Sequence, residues 1–334
     1  MRIIFAGSPA IAIPALEALA DLALEGPGLP PSASSAGGFE LAGILSNPDS
    51  PRGRHGKPEP TELAAAAAAL GPRFGEAGLR PPVIMKPERL GGEARGEIEA
   101  LGPDILVSFA YGKIFGPKFL ALFPLGGINI HPSLLPAYRG PTPIPQAILN
   151  RDRETGISIQ RLALEMDSGD ILIQEAFPLG DTETTASLSE EMARRAAILI
   201  PRALRGIASG TLEGRPQDNE KASYCRLLSR GDGRINWGRG AFDIEAQIRA
   251  YSPWPLSWTL DGDQCLYILR ASAGPGGKEA APGTVLGIDR EQGILVQTGE
   301  GTLAVSVLQY GAKKALDWKA FLNGARGFIG RRLG

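Results

Sequence analysis

Short apolar runs alternate with longer amphipathic segments over the first 210 residues of the chain. Five of these runs are rich in β-branched and aromatic residues, which predicts strands at RIIFAG, FELAGILS, PPVIMK, PDILVSFA and GGINIH. The segments between them predict helices at residues 11–24, 58–72 and 88–101, the second with Thr61 as its N-cap and Gly71-Pro72 as its stop. This order predicts a parallel sheet with helices on both faces.

The pattern changes near residue 212, where a polar segment containing Gly and Pro follows the last helix. After one further helix, predicted at residues 241–250, the strand-like runs are SWTLDG, QCLYILRAS, GTVLGID, GILVQTG and TLAVSVLQ. Short strands separated by Gly and Asp are typical of a small antiparallel barrel or sandwich. We therefore expect two domains, residues 1–211 and 212–334.

Two segments of the first domain are rich in turn-forming residues, EGPGLPPSASSAGG at residues 25–38 and LGPRFGEAGLRPP at residues 70–82. Runs of Gly, Pro and Ser favour surface loops over helices and strands. We expect both segments to be loops, and their composition indicates no function for either.

The composition, with 43% hydrophobic and 21% charged residues, is typical of a soluble globular protein. No apolar run approaches the roughly 18 residues of a membrane span, and the start, MRIIFAGSPA, lacks the features of a signal peptide. Two cysteines, Cys225 and Cys265, are too few for a disulfide framework and have no metal-ligand spacing. We expect a cytoplasmic protein in which both are buried or half-buried thiols.

The net charge of −1 gives no general signature of nucleic-acid binding, but the charge is unevenly distributed. Residues 1–214 hold 19 Lys and Arg against 24 Asp and Glu, a net of −5, and residues 215–334 hold 16 against 12, a net of +4. This division favours an anionic partner for the second part of the chain. Chance variation is an equally good explanation at this point.

The segment FAGSP follows the first predicted strand, where dinucleotide-binding folds carry their phosphate-binding loop. That loop needs the pattern G-x-G-x-x-G for its tight turn and for the close approach of the phosphates. The segment offers Gly7 alone, so the sequence excludes NAD or FAD binding here.

Asn129 and His131 are the first candidates for chemistry. They lie two positions apart in INIH, so their side chains share one face of the predicted strand, at the carboxyl end where parallel sheets bind ligands. An amide that donates to an oxyanion, beside an imidazole that moves a proton, suits acyl transfer. The alternative is a histidine that satisfies a backbone group at the end of a strand.

A second candidate region is LALEMDSGDILIQE, which places Asp167 and Asp170 in a turn between two strand-like runs. A carboxylate in this turn can reach the imidazole and favour its charged form. Alternatively, the aspartate only stabilises the turn, as Asp near Gly commonly does.

These segments together resemble the folate-dependent formyltransferases, in which an Asn-x-His pair and a downstream Asp form a catalytic trio. INIHPSLLPAYRG and MDSGDIL carry that pattern, and nearly the whole chain is similar to the methionyl-tRNA formyltransferases, through RIIFAGSPA, SNPDSPRGRHGKP, AYGKI, RGPTPI, ETGISIQRL, IRAYSPWPLSW, APGTVL and GAKKAL. The resemblance implies an α/β fold with a Rossmann-like parallel-sheet formyltransferase domain and a small OB-like β-barrel domain. It also implies transfer of the formyl group of 10-formyltetrahydrofolate to methionyl-initiator tRNA, in support of translation initiation.

The resemblance assigns a role to each member of the trio. Asn129 would be the oxyanion donor, His131 the proton-transfer group, and Asp167 the acid that orients and charges the imidazole. Contacts with tetrahydrofolate are implied for Ser133, Leu134, Leu135, Pro136 and Tyr111. No metal is required, and the sequence offers no cluster that would hold one.

Contacts with tRNA are implied in both domains. The loop DSPRGRHGKPEP matches the one that closes on the acceptor end, and Arg54 is its best candidate contact, although a solvated loop is the alternative. The residues expected to face the tRNA are Arg52, Arg54 and Lys57 in this loop and Lys313, Lys314, Arg326, Arg331 and Arg332 in the second domain, which would dock the acceptor arm. We expect Trp254 and Trp258 to pack in the core or at the domain junction, and the protein to be a monomer.

Some features depart from the tRNA-specific pattern. Pro132 stands where Gly is frequent, and RGPTPIPQ adds prolines. They leave open a relative that acts on glycinamide ribonucleotide or an amino sugar, or a folate hydrolase domain with the same trio. The second domain argues against an enzyme for glycinamide ribonucleotide, and the basic loop together with GAKKAL argues against one for an amino sugar. A noncatalytic RNA-binding protein is an alternative of another class, and the intact trio argues against it.

Overall fold

The computed structural model describes residues 1–25, 38–51, 56–277 and 280–334. In chain order, the first elements are β1 (Arg2–Gly7), α1 (Ile13–Leu24), β2 (Glu40–Leu45), β3 (Ser50–Pro51), β4 (Pro58–Glu59), α2 (Glu62–Ala69), α3 (Gly71–Glu76), β5 (Val83–Met85), α4 (Gly92–Ala100), β6 (Ile105–Phe109), α5 (Pro117–Leu120), β7 (Gly127–His131), α6 (Pro143–Leu149), β8 (Glu154–Arg161) and β9 (Ile171–Pro178). The elements that follow are α7 (Thr185–Ala208), α8 (Ala241–Ala250), β10 (Ser257–Asp261), β11 (Gln264–Gly274), β12 (Val285–Asp289), β13 (Gly293–Gln297), β14 (Thr302–Tyr310), β15 (Leu316–Asp317) and α9 (Trp318–Gly324).

The chain divides into two compact units. The first unit consists of Met1–Pro141, Thr155–Phe177 and Ser189–Tyr224. The second unit consists of Thr142–Glu154, Pro178–Leu188 and Cys225–Gly334. The boundary expected at residue 212 stays a prediction, because these units are each assembled from three separate segments.

A seven-stranded sheet with the order β5-β2-β1-β6-β7-β8-β9 forms the centre of the first unit. Strands β5, β2, β1, β6 and β7 run parallel, and β8 pairs with β7 in the antiparallel direction. The central strands β1 and β6 are almost completely buried, as is usual for parallel strands covered on both faces. The five strands predicted for this region are confirmed.

Helix α2 lies within the predicted segment and begins after the predicted N-cap, although Pro58–Glu59 form β4 and Gly71-Pro72 open α3. Thr61 has an extended backbone at the N-cap, and its hydroxyl accepts a hydrogen bond from the backbone N of Ala64 at 3.1 Å. This bond satisfies one of the amides that the first turn leaves without an intrahelical partner. The helix ends at Ala69, directly before Leu70 and the predicted stop.

The two segments expected to be loops have different outcomes. The expectation for residues 70–82 is wrong in part, because α3 occupies Gly71–Glu76. A proline is tolerated in the first turn of a helix, and Phe74, which is 2% exposed, anchors this one in the core. For the segment 25–38, residues 26–37 lie outside the part of the chain that the structure describes.

The second unit contains an antiparallel sheet with the order β10-β11-β14-β13-β12, and β15 pairs with β14. Its core joins Leu266 and Val305 of the sheet with Ile244 of α8 and Phe321 of α9. All five strands and the helix predicted for this region are present. The predicted fold class, an α/β domain followed by a small antiparallel β domain, is confirmed.

Two smaller expectations are also tested. Both cysteines are free thiols, Cys225 buried and Cys265 half-buried, as predicted. The expectation of core packing is wrong for Trp254, which lies in the turn before β10 and is 52% exposed. No helix in the described part of the chain is long and apolar enough to cross a membrane.

Candidate active site

Strand β7 presents Asn129 and His131 at its carboxyl end. Asn129 is half-buried and His131 is 4% exposed. The strand ends at His131 because the chain turns back at once, with the backbone N of Ser133 donating to the carbonyl of His131 at 2.9 Å. Pro132 and Pro136 have no N–H to continue strand pairing. The two polar side chains therefore lie where the strand ends, at the carboxyl-terminal side of the sheet.

Asp167 lies in the turn between β8 and β9, with a φ of 52°. Aspartate adopts this left-handed conformation more readily than most residues. A Cβ at position 169 would lie 1.9 Å from the carbonyl oxygen of Arg161, so only Gly169 allows the turn to approach β8 this closely. The backbone N of Arg161 donates to the carbonyl of Asp170 at 2.8 Å and closes the turn.

The three side chains of the trio converge on one another. Asp167 Oδ1 is 3.4 Å from Asn129 Nδ2, and Asp167 Oδ2 is 3.6 Å from His131 Nδ1. Two further donors hold the carboxylate: the backbone N of Gly140 donates to Oδ2 at 2.8 Å, and Gln160 Nε2 donates to Oδ1 at 2.9 Å. These bonds offset the cost of keeping a carboxylate whose side chain is only 15% exposed.

The imidazole of His131 contacts protein acceptors through both ring nitrogens. Its Nε2 lies 2.8 Å from the carbonyl oxygen of Tyr138, and a carbonyl only accepts, so Nε2 carries a hydrogen. Its Nδ1 faces Asp167. His131 therefore satisfies a backbone group, as the simpler interpretation expects, and also lies beside Asp167, as the catalytic interpretation requires.

The segment predicted to contact folate is anchored to β8. Ser158 Oγ donates to the carbonyl of Ser133 at 2.7 Å and accepts from the backbone N of Leu135 at 3.2 Å. Ser133 and Leu135 are 1% and 2% exposed, whereas Leu134 and Pro136 are half-buried. Only the last two side chains offer surface to a ligand, and the four assignments to folate stay predictions.

Tyr111, the fifth residue assigned to folate, packs in the core of the first unit. Its ring stacks on that of Phe115 at a centroid distance of 5.6 Å, and the residue is 2% exposed. Its hydroxyl has no hydrogen-bond partner among the residues that the structure describes. Burial raises the pKa of this hydroxyl to about 12, because the charged form loses its hydration. The assignment to folate stays a prediction.

The residues expected to face tRNA are placed only in part. Arg52 and Arg54 lie outside the described residues, whereas Lys57 of the first unit and Lys313 and Lys314 of the second are exposed. Arg331 is engaged within the second unit, because its Nη1 pairs with Asp261 Oδ2 at 2.9 Å. The tRNA assignments stay predictions.

Three residues of the site were missed by sequence analysis. Gln160, Gln217 and the buried Arg139 extend the hydrogen bonds of Asp167. Gln160 stands directly opposite Asn129 in the β7–β8 register, so a correct alignment of these two strands would have identified it. No local pattern points to Gln217, which follows Asp167 by 50 positions.

The described residues contain no group of three His, Cys, Asp or Glu side chains arranged to hold a metal ion. The site residues named above, from Asn129 to Gln217, all belong to the first compact unit. Asn129, His131 and Asp167 bring an amide donor, an imidazole and a carboxylate together at the carboxyl-terminal end of β7. This set of groups can stabilise an oxyanion and transfer a proton.

Comparison with known proteins identifies the family. The formyl transferase family model matches residues 32–204, and the model of the formyl transferase C-terminal domain matches residues 227–326. A methionyl-tRNA formyltransferase of Treponema denticola is 45% identical over 98% of both chains. The enzymes of the same name from Treponema pallidum and Chloroflexus aggregans are 40% and 39% identical, over 97% or more of each chain.

Solved structures with low sequence identity support the same fold. The sugar 3N-formyltransferase WlaRD, solved with dTDP and 5-N-formyl-THF, has a TM-score of 0.60 at 18% identity and covers 94% of this chain and 99% of its own. The N-formyltransferase of Helicobacter canadensis, solved with folinic acid and dTDP-3-aminofucose, has a TM-score of 0.60 at 19% identity and covers 91% and 98%. With both domain models matched and full-length relatives at 39–45% identity, the chain belongs to the methionyl-tRNA formyltransferase family.

Proposed function

We propose that this protein transfers the formyl group of 10-formyltetrahydrofolate to the α-amino group of methionyl-initiator tRNA and so supports translation initiation. The observation that carries the proposal is the convergence of Asn129, His131 and Asp167 at the carboxyl end of β7. Full-length relatives that bear the name of this reaction support the choice of acceptor. Because the acceptor is a charged tRNA, we infer that the protein acts in the cytoplasm, and we propose that it acts as a monomer.

Asn129 stabilises the negative charge of the reaction. When the amine adds to the formyl carbon, the carbonyl oxygen becomes an oxyanion, and Asn129 Nδ2 is the amide donor at the edge of the sheet. One well-placed donor contributes about 10²–10³-fold in rate. The bond of Nδ2 to Asp167 Oδ1 is long, at 3.4 Å, so the amide retains capacity for a substrate oxygen.

His131 and Asp167 transfer the proton that the reaction moves between the two nitrogens. The incoming amine loses one proton as the new N–C bond forms, and N10 of the folate gains one as the old C–N bond breaks, so the pair carries a proton from the first nitrogen to the second. Asp167 orients the imidazole through Nδ1. For Nε2 to accept the amine's proton, the substrate must replace the carbonyl of Tyr138 as its partner, and the hydrogen of the neutral ring must lie on Nδ1, facing Asp167.

The protein surface beside the trio fits a folate. Leu134 and Pro136 are half-buried next to the end of β7, and their loop is held by hydrogen bonds to Ser158. An apolar and fixed loop is suited to cover a flat pterin ring. The bound donor supplies the activated formyl group, and the chain positions it against the trio.

The acceptor end of the tRNA is proposed to contact basic residues of both parts of the chain, which are Arg52, Arg54, Lys57, Lys313 and Lys314. The net charge of +4 in residues 215–334 supports a polyanionic partner for the second part.

The acceptor is tested by supplying purified protein with 10-formyltetrahydrofolate and three amines in parallel. These are methionyl-initiator tRNA, glycinamide ribonucleotide and a dTDP-linked amino sugar. We expect formylation of the tRNA, with the two small amines at least about 100-fold slower in kcat/KM, because the binding energy of the tRNA is absent for them. Formylation of a small amine without formylation of the tRNA would overturn the proposal.

A further inference from the structure

The segment Gly214–Tyr224, here called the strap, lies between α7 and the last segment of the second unit. Its sequence predicts only a linker. In the structure the strap pairs with the start of β9, because Arg215 and Ile171 exchange backbone hydrogen bonds of 2.9 and 2.8 Å. Its far end binds the loop after β7. The backbone N of Arg139 donates to the carbonyl of Ser223 at 2.8 Å, and the backbone N of Ser223 donates to the carbonyl of Pro136 at 3.2 Å.

Between these two ends, Gln217 reaches the turn that carries the catalytic carboxylate. Its Nε2 donates to the carbonyls of Asp167 and Gly169 at 2.8 and 2.7 Å. The first of these carbonyls belongs to the left-handed residue of the turn, Asp167, which has a φ of 52°, and the second lies two residues further along. A side chain that bonds both of them stabilises this conformation against its backbone strain.

The same amide is part of a relay that fixes the direction of each hydrogen bond. The guanidinium of Arg139 has only donors, and its Nη2 and Nε donate to Gln217 Oε1 at 2.8 and 3.1 Å. The amide of Gln217 must therefore turn its NH₂ group toward the catalytic turn. Because this group has two hydrogens for three acceptors, its contact with Gln160 Oε1, at 3.1 Å, shares a hydrogen with one of the two carbonyls. This contact directs the NH₂ group of Gln160 to Asp167 Oδ1, at 2.9 Å.

We propose that Gln217 is a positioning residue for formyl transfer, which acts through Gln160 and the 167–169 turn to hold Asp167 against His131. The proposal rests on the proposed function, since it assigns Gln217 to the same reaction. It gives the strap a second role besides connection: the strap completes the active site.

The main test is Gln217→Glu, which keeps the size and the acceptor of the side chain and removes both donor hydrogens. We expect kcat for methionyl-initiator tRNA to fall about 10-fold to 100-fold, the effect of a small misplacement of a catalytic group. The KM values for both substrates should change by less than about threefold, because Gln217 lies behind the carboxylate. The matched control is Glu220→Gln, an exchange of acid and amide at an exposed position of the same strap, which should leave kcat within about twofold of the unmodified protein.

A second measurement is independent of activity. Amide hydrogen exchange in the peptides that contain residues 136–140 and 166–170 should quicken about tenfold in Gln217→Glu, because the turn and Gly140 lose their common support. The control variant should leave exchange in both peptides unchanged. Wild-type exchange in Gln217→Glu, or a wild-type kcat, would overturn the positioning role.

The relay itself is tested with Gln160→Met, which removes the last donor without adding a charge. If the two glutamines act in one relay, the double variant should lose no more than about threefold beyond the more damaging single variant. Fully multiplicative losses would overturn the relay, and a KM effect larger than the kcat effect would make Gln217 a binding residue instead. If the unmodified protein does not formylate the tRNA, the proposed function fails, and the exchange data still decide whether the strap holds the turn.

Discussion

At the scale of single residues, the site depends on buried polar groups that are each matched by a partner. His131, at 4% exposure, is oriented by the carbonyl of Tyr138 and by Asp167, and Asp167 is held by Gly140 and Gln160. Removing one partner of such a buried set costs more than an exposed hydrogen bond does. The geometry of the trio is therefore a property of the folded protein and does not need the substrate to create it.

Tyr111 is the exception, since its buried hydroxyl has no partner among the described residues. Tyr111→Phe removes this hydroxyl and keeps the ring that stacks on Phe115. We expect the free energy of unfolding to rise by about 1 kcal/mol at neutral pH, because an unsatisfied buried hydroxyl destabilises the fold. Urea titration of both proteins measures this difference. A clear loss of stability would mean that the hydroxyl has a favourable partner, and a weaker folate Kd would support the predicted folate contact.

The same tyrosine gives a pH dependence with a defined sign. Its pKa is raised to about 12 in the folded protein by burial, whereas an unfolded chain ionises near pH 10. Below pH 10 the group is neutral in both states and contributes nothing. Between pH 10 and 12 the unfolded state loses the proton first, so stability falls. We expect Tyr111→Phe to lose stability less steeply over this range, and identical slopes for the two proteins would contradict the assignment.

Sequence reasoning succeeded for residues that a local rule relates. Asn129 and His131 share a face because side chains of a strand alternate, and MDSGD has the composition of a turn. It failed for Gln217, because the bond to Asp167 is set by the path of the strap and by the orientation of an amide. Neither quantity has a local signature in the sequence.

At the scale of elements, the turn between β8 and β9 places the carboxylate, and its glycine makes the turn possible. The strands around it were predictable from apolar composition. The close approach of Gly169 to the carbonyl of Arg161 was not, because it depends on how two strands lie in three dimensions. For the same reason α3 was missed: its composition is that of a loop, and the burial of Phe74 is a tertiary effect.

Two glycine substitutions with opposite expected effects test this account of the turn. Gly169→Ala should destabilise the protein by about 1–3 kcal/mol and lower kcat, because its Cβ would overlap the carbonyl of Arg161. Gly96→Ala, in the exposed interior of α4 with open space around the Cβ position, should stabilise it by about 1 kcal/mol. Chemical denaturation measures both. Equal effects of the two substitutions would contradict the steric argument.

At the scale of the whole molecule, each compact unit is assembled from three segments, so the chain passes between the units several times. The change of composition near residue 212 coincides with none of these passages, and the nearest one lies between Tyr224 and Cys225. The pattern of strand-like and helix-like segments predicted the fold class of each part correctly, because the composition of strands and helices is a local property of the sequence. The same pattern did not predict that the short segments 142–154 and 178–188 belong to the second unit, since this membership depends on tertiary contacts.

The positive charge of the second part of the chain gives a prediction about salt. Lys313 and Lys314 are exposed in the turn after β14. Replacing both by Ala should weaken tRNA binding and reduce the slope of log Kd against log salt concentration by about 1.5, the value for two lost phosphate contacts. Folate affinity should not change. Arg290→Ala, an exposed arginine of the same unit outside the predicted contacts, is the control. An unchanged slope in the double variant would remove both lysines from the tRNA interface.

The convergence of the trio on one reacting carbon is tested most directly by the single-turnover rate of formyl transfer to methionyl-initiator tRNA in His131→Ala. Saturating substrates and a melting temperature near that of the unmodified protein exclude weak binding and misfolding as causes. We expect the rate to fall about 10²–10⁴-fold, the contribution of a positioned proton-transfer group, while the Kd for the folate stays within about threefold. A near-normal rate would contradict the account and remove His131 from the mechanism.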